Sequence, residues 1–182
     1  KDLIFKKTDF MIYNKDLSFF EDLLKTEPNE NKIVFKNSNI FFKNSQNEIL
    51  FINKINKSEF YYDSKGLENI LTSKNEIFNI PFKLTVKNDK FNKEIDTIFD
   101  SKKIRLNIKN KIFYEDIDKK GLLDILFVNK STSLNYLIKK NSLSFSSEKT
   151  NNGYNGNIDF KPFYLSANFD YKGLSSKNIF DE

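Results

Sequence analysis

Acidic residues come in close pairs in this chain: Glu21-Asp22, Asp116 with Asp118, and Asp181-Glu182. Adjacent carboxylates can hold Ca²⁺ or divide acid and base roles between them. Either task needs further groups converging on the pair. Asp116-Ile117-Asp118 lacks the rest of a calcium loop and stands beside lysines, which reads as a solvated turn. Ser131-Thr132-Ser133 and Ser146-Ser147 supply hydroxyls with no base close by in sequence. The chain has no His and no Cys. A Ser-His-Asp or Cys-His site therefore cannot exist within it, the commonest metal ligand is missing, and no disulfide framework can form. Gly153-Tyr154-Asn155-Gly156 reads as a turn or bulge between strands, because two glycines without a following helix do not cradle phosphate. Asn56-Lys57-Ser58 and Asn129-Lys130-Ser131 fit the glycosylation pattern at the rate chance gives in an Asn-rich chain. The expectation is a protein that is not an enzyme, with no catalytic residues, no metal site and no cofactor.

The 30 basic and 25 acidic residues leave a net charge of +5. Arg105 is the sole arginine and the lysines are scattered. Nucleic-acid readers concentrate Lys and Arg on one face and favour Arg at base edges, so no nucleic-acid partner is expected. The excess is compatible with a weak attraction to anionic membrane surfaces. No apolar run approaches the roughly 20 residues of a membrane helix; the best, Leu122 to Val128, is short and interrupted by Asp124. The chain is expected to be soluble and to be an excised segment. Its 182 residues suffice for one ordinary domain. Residues 1–182 are read as a single β-rich domain or a segment of a longer repetitive β protein.

The side chains left to explain are apolar, and their spacing says what carries them. The 20 Phe and 8 Tyr, with frequent Ile, favour pleated, half-buried surfaces. Ile4 to Tyr13 suits a strand. Ser18-Phe19-Phe20-Glu21 has capping-box spacing, and Phe19, Phe20, Leu23 and Leu24 share one helical face, which predicts a short helix over 18–26 that stops before Pro28. Strand-like segments follow: Ile33 to Phe35, Ile40 to Phe42, Ile49 to Ile52 and Glu59 to Tyr62, with a turn over 44–47. Alternation is then cleaner. Phe82, Leu84 and Val86 are separated by Lys83 and Thr85; Ile104, Leu106 and Ile108 by Arg105 and Asn107; Leu165, Ala167, Phe169 and Tyr171 by polar residues. Each such segment has one apolar and one polar side. Lys119 to Val128 is read as a strand rather than a helix. Pro81-Phe82-Lys83-Leu84 and Pro162-Phe163-Tyr164-Leu165 look like a repeat of one β unit, whose proline implies an edge or bulge.

Three stretches carry a family resemblance: Ile33 to Phe42 ahead of Ile49 to Ile52, Ile77-Phe78-Asn79-Ile80-Pro81-Phe82-Lys83-Leu84, and Tyr154 to Phe163 with its x-Gly-x-Ile-x-x-x-Pro-Phe pattern. In order and content they resemble the AsmA-like family, envelope proteins of Gram-negative bacteria that include TamB-type relatives. The resemblance implies a periplasmic location, an inner-membrane anchor outside this chain, and movement of phospholipid between inner and outer membranes or support of outer-membrane assembly. It also implies, as partners, phospholipid acyl chains, the remainder of the parent chain and envelope proteins. The expected fold is mainly β: a curved antiparallel sheet forming an open hydrophobic groove, with the one short helix. The groove would be lined by Phe82, Leu84, Val86, Ile104, Leu106, Ile108, Leu165 and Phe169. The alternative is a closed β-sandwich with a dry core, a structural or adhesion module that binds no lipid.

Overall fold

A computed structural model describes residues 2–13, 16, 31–114, 118–147 and 152–171; the side chains of 152 and 169–171 lie outside that description. The helix expected over 18–26 falls outside the described residues. Alternation does build strands. They are β1 (Leu3–Lys6), β2 (Asp9–Tyr13), β3 (Ile33–Lys43), β4 (Ile49–Asp63), β5 (Glu68–Ile77), β6 (Ile80–Asp89) and β7 (Glu94–Ser101). They continue as β8 (Leu106–Phe113), β9 (Lys119–Phe127), β10 (Lys130–Ile138), β11 (Ser142–Ser147), β12 (Asn152–Phe160) and β13 (Phe163–Tyr171). The chain is mainly β, as expected, and all thirteen strands join one curved, unclosed sheet. From β3 to β13 each strand pairs antiparallel with the next. β1 and β2 run parallel to successive halves of β3.

Several boundaries differ from the sequence expectation, each for a local reason. Ile4 to Tyr13 is two strands, because Lys7 takes a left-handed φ of 52° and the chain steps along β3. Ile33 to Phe42 is one strand, since Asn37 absorbs a kink at φ 49° without breaking the pairing on either side. Ile49 to Tyr62 is also continuous; a bulge between Ile55 and Lys57 keeps Ile55 and Ser58 on one face. Gly153 to Gly156 is strand interior in β12, not a turn. Lys119 to Phe127 is a strand. Pro81 sits second in β6, an interior strand rather than an edge. The β6–β7 ladder begins only at Lys83, and the Ser101 hydroxyl donates to the Pro81 carbonyl at 2.8 Å, so the missing amide hydrogen removes no bond on that side.

Elements touch their sheet neighbours, and no second sheet packs on this one among the described residues. The closed two-sheet sandwich is therefore not the architecture formed. Buried apolar side chains are few, Ile55, Phe60 and Val86 among them. Packing is lateral within the one sheet, and buried Val34 and Ile70 lie on the face opposite Ile55, Phe60 and Val86. The Phe5, Phe10 and Phe35 rings cluster with centroids 5.1 to 6.2 Å apart, and Phe42 stacks on Phe51 at 4.3 Å.

Candidate functional site

Residues opposite one another across a ladder point to the same side of the pleat, so register assigns every strand residue to a face. One face mixes apolar residues with neutral polar ones such as Ser58, Ser73 and Asn75 and is uncharged away from strand ends. Leu84 lies opposite Phe99, Phe99 opposite Ile108 and Ile108 opposite Ile125, a continuous row across β6 to β9. Phe60, Leu71 and Val86 make a second row on the same face. Away from strand ends no charged residue takes a register position there; Lys119, opposite Ile138, and Lys130, opposite Phe127, are the terminal exceptions.

Of the residues expected to line a groove, Phe82, Leu84 and Val86 in β6 and Leu106 and Ile108 in β8 share this face two strands apart. Leu165 is also on it, opposite Ile158, but β13 is five strands beyond β8, about 24 Å across the sheet. Phe169 takes the register position opposite Tyr154. Ile104 is a correction. It lies in the turn 102–105 between β7 and β8, where Arg105 adopts φ 53° and the strand pattern does not extend back to it. Arg105 likewise belongs to the turn, its Nη2 donating to Asn129 Oδ1 at 2.9 Å. Phe99 was missed, although Ile95, Thr97 and Phe99 alternate within β7; its ring stacks on Phe82 with centroids 4.9 Å apart.

Two glycines shape the face. Gly121 lies opposite Tyr136 and Gly156 opposite Phe145, and each ring covers its glycine so closely that a Cβ would collide with it. The Tyr136 hydroxyl reaches past β9 to donate to Asn110 Oδ1 on β8 at 2.7 Å. Burial pushes the Tyr136 phenol above its ordinary pKa, and the bond to Asn110 partly offsets this. Polar groups on the face are mostly bonded. Asn69 and Asn88 are opposite each other and each 1 % exposed, and the Tyr114 hydroxyl donates to Asn88 Oδ1 at 2.8 Å. Ser73 donates to Asn75 Oδ1 at 2.8 Å. Buried Asn53 Oδ1 has no protein partner.

The other face carries the charges, and several of them are paired. Lys54 meets Glu76 at 2.8 Å, Lys57 meets Glu59 at 2.8 Å, Lys87 meets Glu68 at 3.2 Å, and Lys111 meets Glu94 at 2.8 Å. The bond from Lys57 holds Glu59 below the usual glutamate range, and the bond to Glu94 holds Lys111 above the usual lysine range. Ser133, which lacks a base near it in sequence, donates to Asp124 across the β9–β10 ladder at 2.5 Å. Among the described residues no three Asp, Glu, His or Cys side chains converge. Toward β13 the charges thin out to Asp159 and Asp170 near strand ends, and Asn135, Ser146, Asn155 and Asn168 form a neutral row. An open concavity of about 750 Å³ lies there, floored by the backbone at Gly121 and Gly156 and walled by Phe113, Leu122 and Leu137 together with Lys120 and the Asn and Ser residues of that row.

Against known proteins, the chain matches no family model, no curated protein and no solved structure. Among the described residues no helix is long and apolar enough to cross a membrane, which says nothing about membrane-crossing strands.

Proposed function

We propose that this chain is a segment of an envelope lipid carrier, similar to the AsmA-like proteins, whose apolar sheet face forms a groove for phospholipid acyl chains. The observation that carries the reading is the continuous uncharged face across strands of one sheet, with no second layer over it among the described residues. Size supports it. A nine-residue strand spans about 30 Å, and the acyl layer of one bilayer leaflet is about 15 Å deep, half the hydrocarbon core. Acyl chains laid along the strands would stay on the face. Apolar burial contributes about 25 cal/mol per Å², and a lining without fixed charges or a single deep pocket gives no one position where a lipid is trapped. Movement between the two envelope membranes would then be passive sliding, with the periplasm as its location.

The test is native mass spectrometry of the purified chain with lipid extraction. Stoichiometric phospholipid is expected with the unchanged protein. Leu106→Asp places a charge on the face opposite Phe127 and is expected to abolish the lipid while circular dichroism keeps the strand signal. Lipid-free wild-type protein, or lipid retained by Leu106→Asp, would count against the reading.

A further inference from the structure

Turns of a meander alternate between two rims. One rim carries the turns after β4, β6, β8, β10 and β12. On it Lys65, Lys93, Lys139, Lys140 and Lys161 are exposed, and none has an acidic partner among the described residues. On the charged face Lys54, Lys57, Lys87 and Lys111 meet carboxylates within 3.2 Å, while Lys36, Lys74 and Lys83 form a lysine row with Lys57; what marks the rim is that its lysines stand at turn tips beside exposed apolar side chains. Acids near these turns are occupied. Asp63 Oδ1 accepts the Lys65 amide at 3.1 Å, Asp89 Oδ1 accepts the Phe91 and Asn92 amides at 2.9 Å, and Glu68 and Glu94 are ion-paired. Asp118 is the one acid within the described turn residues of this rim. Large apolar side chains stand among the lysines, with Leu67 exposed, Phe91 84 % exposed and Phe163 76 % exposed. Successive turns are two strands apart, about 10 Å, so the row runs about 40 Å along the sheet. On the opposite rim Lys103 Nζ donates to the Asn79 carbonyl at 2.8 Å and Arg105 to Asn129, while Lys102 is exposed.

We propose that the lysine rim docks on an anionic phospholipid surface. Unpaired lysines at turn tips draw the rim to negative headgroups. Phe91, Leu67 and Phe163 enter the headgroup boundary while the lysine stems snorkel along them. Aliphatic Leu67 and the lack of a free arginine favour a lipid surface over a nucleic acid. The contact uses turn residues of the rim, with Phe163 at the rim end of the uncharged face, and not Leu106 or its neighbours in the proposed groove, so it stands or falls separately from acyl-chain binding.

Vesicle sedimentation tests it, using phosphatidylcholine alone and phosphatidylcholine mixed with phosphatidylglycerol. Binding is expected only to the mixture and is expected to fall as salt rises. Lys65→Gln, Lys93→Gln and Lys139→Gln should each weaken it about fivefold. Phe91→Ser should weaken it at constant charge, and Lys102→Gln on the other rim should leave it nearly unchanged. Equal binding to neutral vesicles overturns the proposal, as does indifference to the rim substitutions, or tighter binding to an RNA oligonucleotide than to the anionic vesicles. Leu106→Asp should keep vesicle binding while losing carried lipid, which separates failure of one proposal from failure of the other.

Discussion

At the scale of single residues, the apolar face depends on what sits opposite each glycine. Tyr136 over Gly121 fills the space a side chain would take and carries its hydroxyl to Asn110. Gly121→Ala is expected to destabilise by about 1–3 kcal/mol, because the new methyl must displace the ring. Adding Tyr136→Ala should cost less in that background than in the wild type, a coupling read from urea midpoints in a double-mutant cycle. Tyr136→Phe should cost about 1 kcal/mol, the lost hydrogen bond. The pH sign follows from burial, which raises the folded-state pKa of Tyr136. Its neutral form is the favoured one, so its contribution is complete below the ordinary tyrosine range and is lost as pH rises through the raised value. Ultraviolet titration should show one tyrosine ionising late, and Tyr136→Phe should remove it.

At the scale of elements, the hairpins carry strain that strand periodicity does not disclose. Phe78 and Asn79 both have positive φ, at 50° and 61°, the signature of a two-residue I′ turn that normally takes Asn-Gly. Val128 opens the β9–β10 turn at φ 58°, where a β-branched residue is strongly disfavoured. Val128→Asn is expected to stabilise the chain by about 0.5–1 kcal/mol, visible as a higher urea midpoint; a lower midpoint would mean that the half-exposed Val128 side chain packs more usefully than its backbone is strained. The turn 90–93 is better matched. Bonds from the Asn92 backbone and side chain, then the Phe91 amide, hold the Asp89 carboxyl below its ordinary range. That brace is present at neutral pH and is lost only as acid takes the pH down through the lowered value, so Phe91 is presented alike across the physiological range.

At the scale of the whole molecule, one curved layer carries a large uncharged face with no second sheet over it among the described residues. If acyl chains cover it, a mild nonionic detergent should bind the folded chain and raise its Tm, by about 5–10 °C near a hundredfold saturation. An unchanged or lowered Tm would argue against an accessible face. Much of this architecture was legible from alternation alone, because the two-residue period is local: it marked β6, β8 and β13 and the faces of Phe82, Leu84, Val86, Leu106, Ile108 and Leu165. Composition likewise determined that no His- or Cys-based chemistry resides in the chain. Tertiary structure decided the rest: the parallel docking of β1 and β2 on β3, the place of Ile104 in a turn, the cover of Gly121 by Tyr136, and the gathering of unpaired lysines on one rim. The turn that takes Ile104 is closed locally by the Arg105 amide on the Lys102 carbonyl, but the other features are set by pairing between strands, which leaves no local trace in the chain.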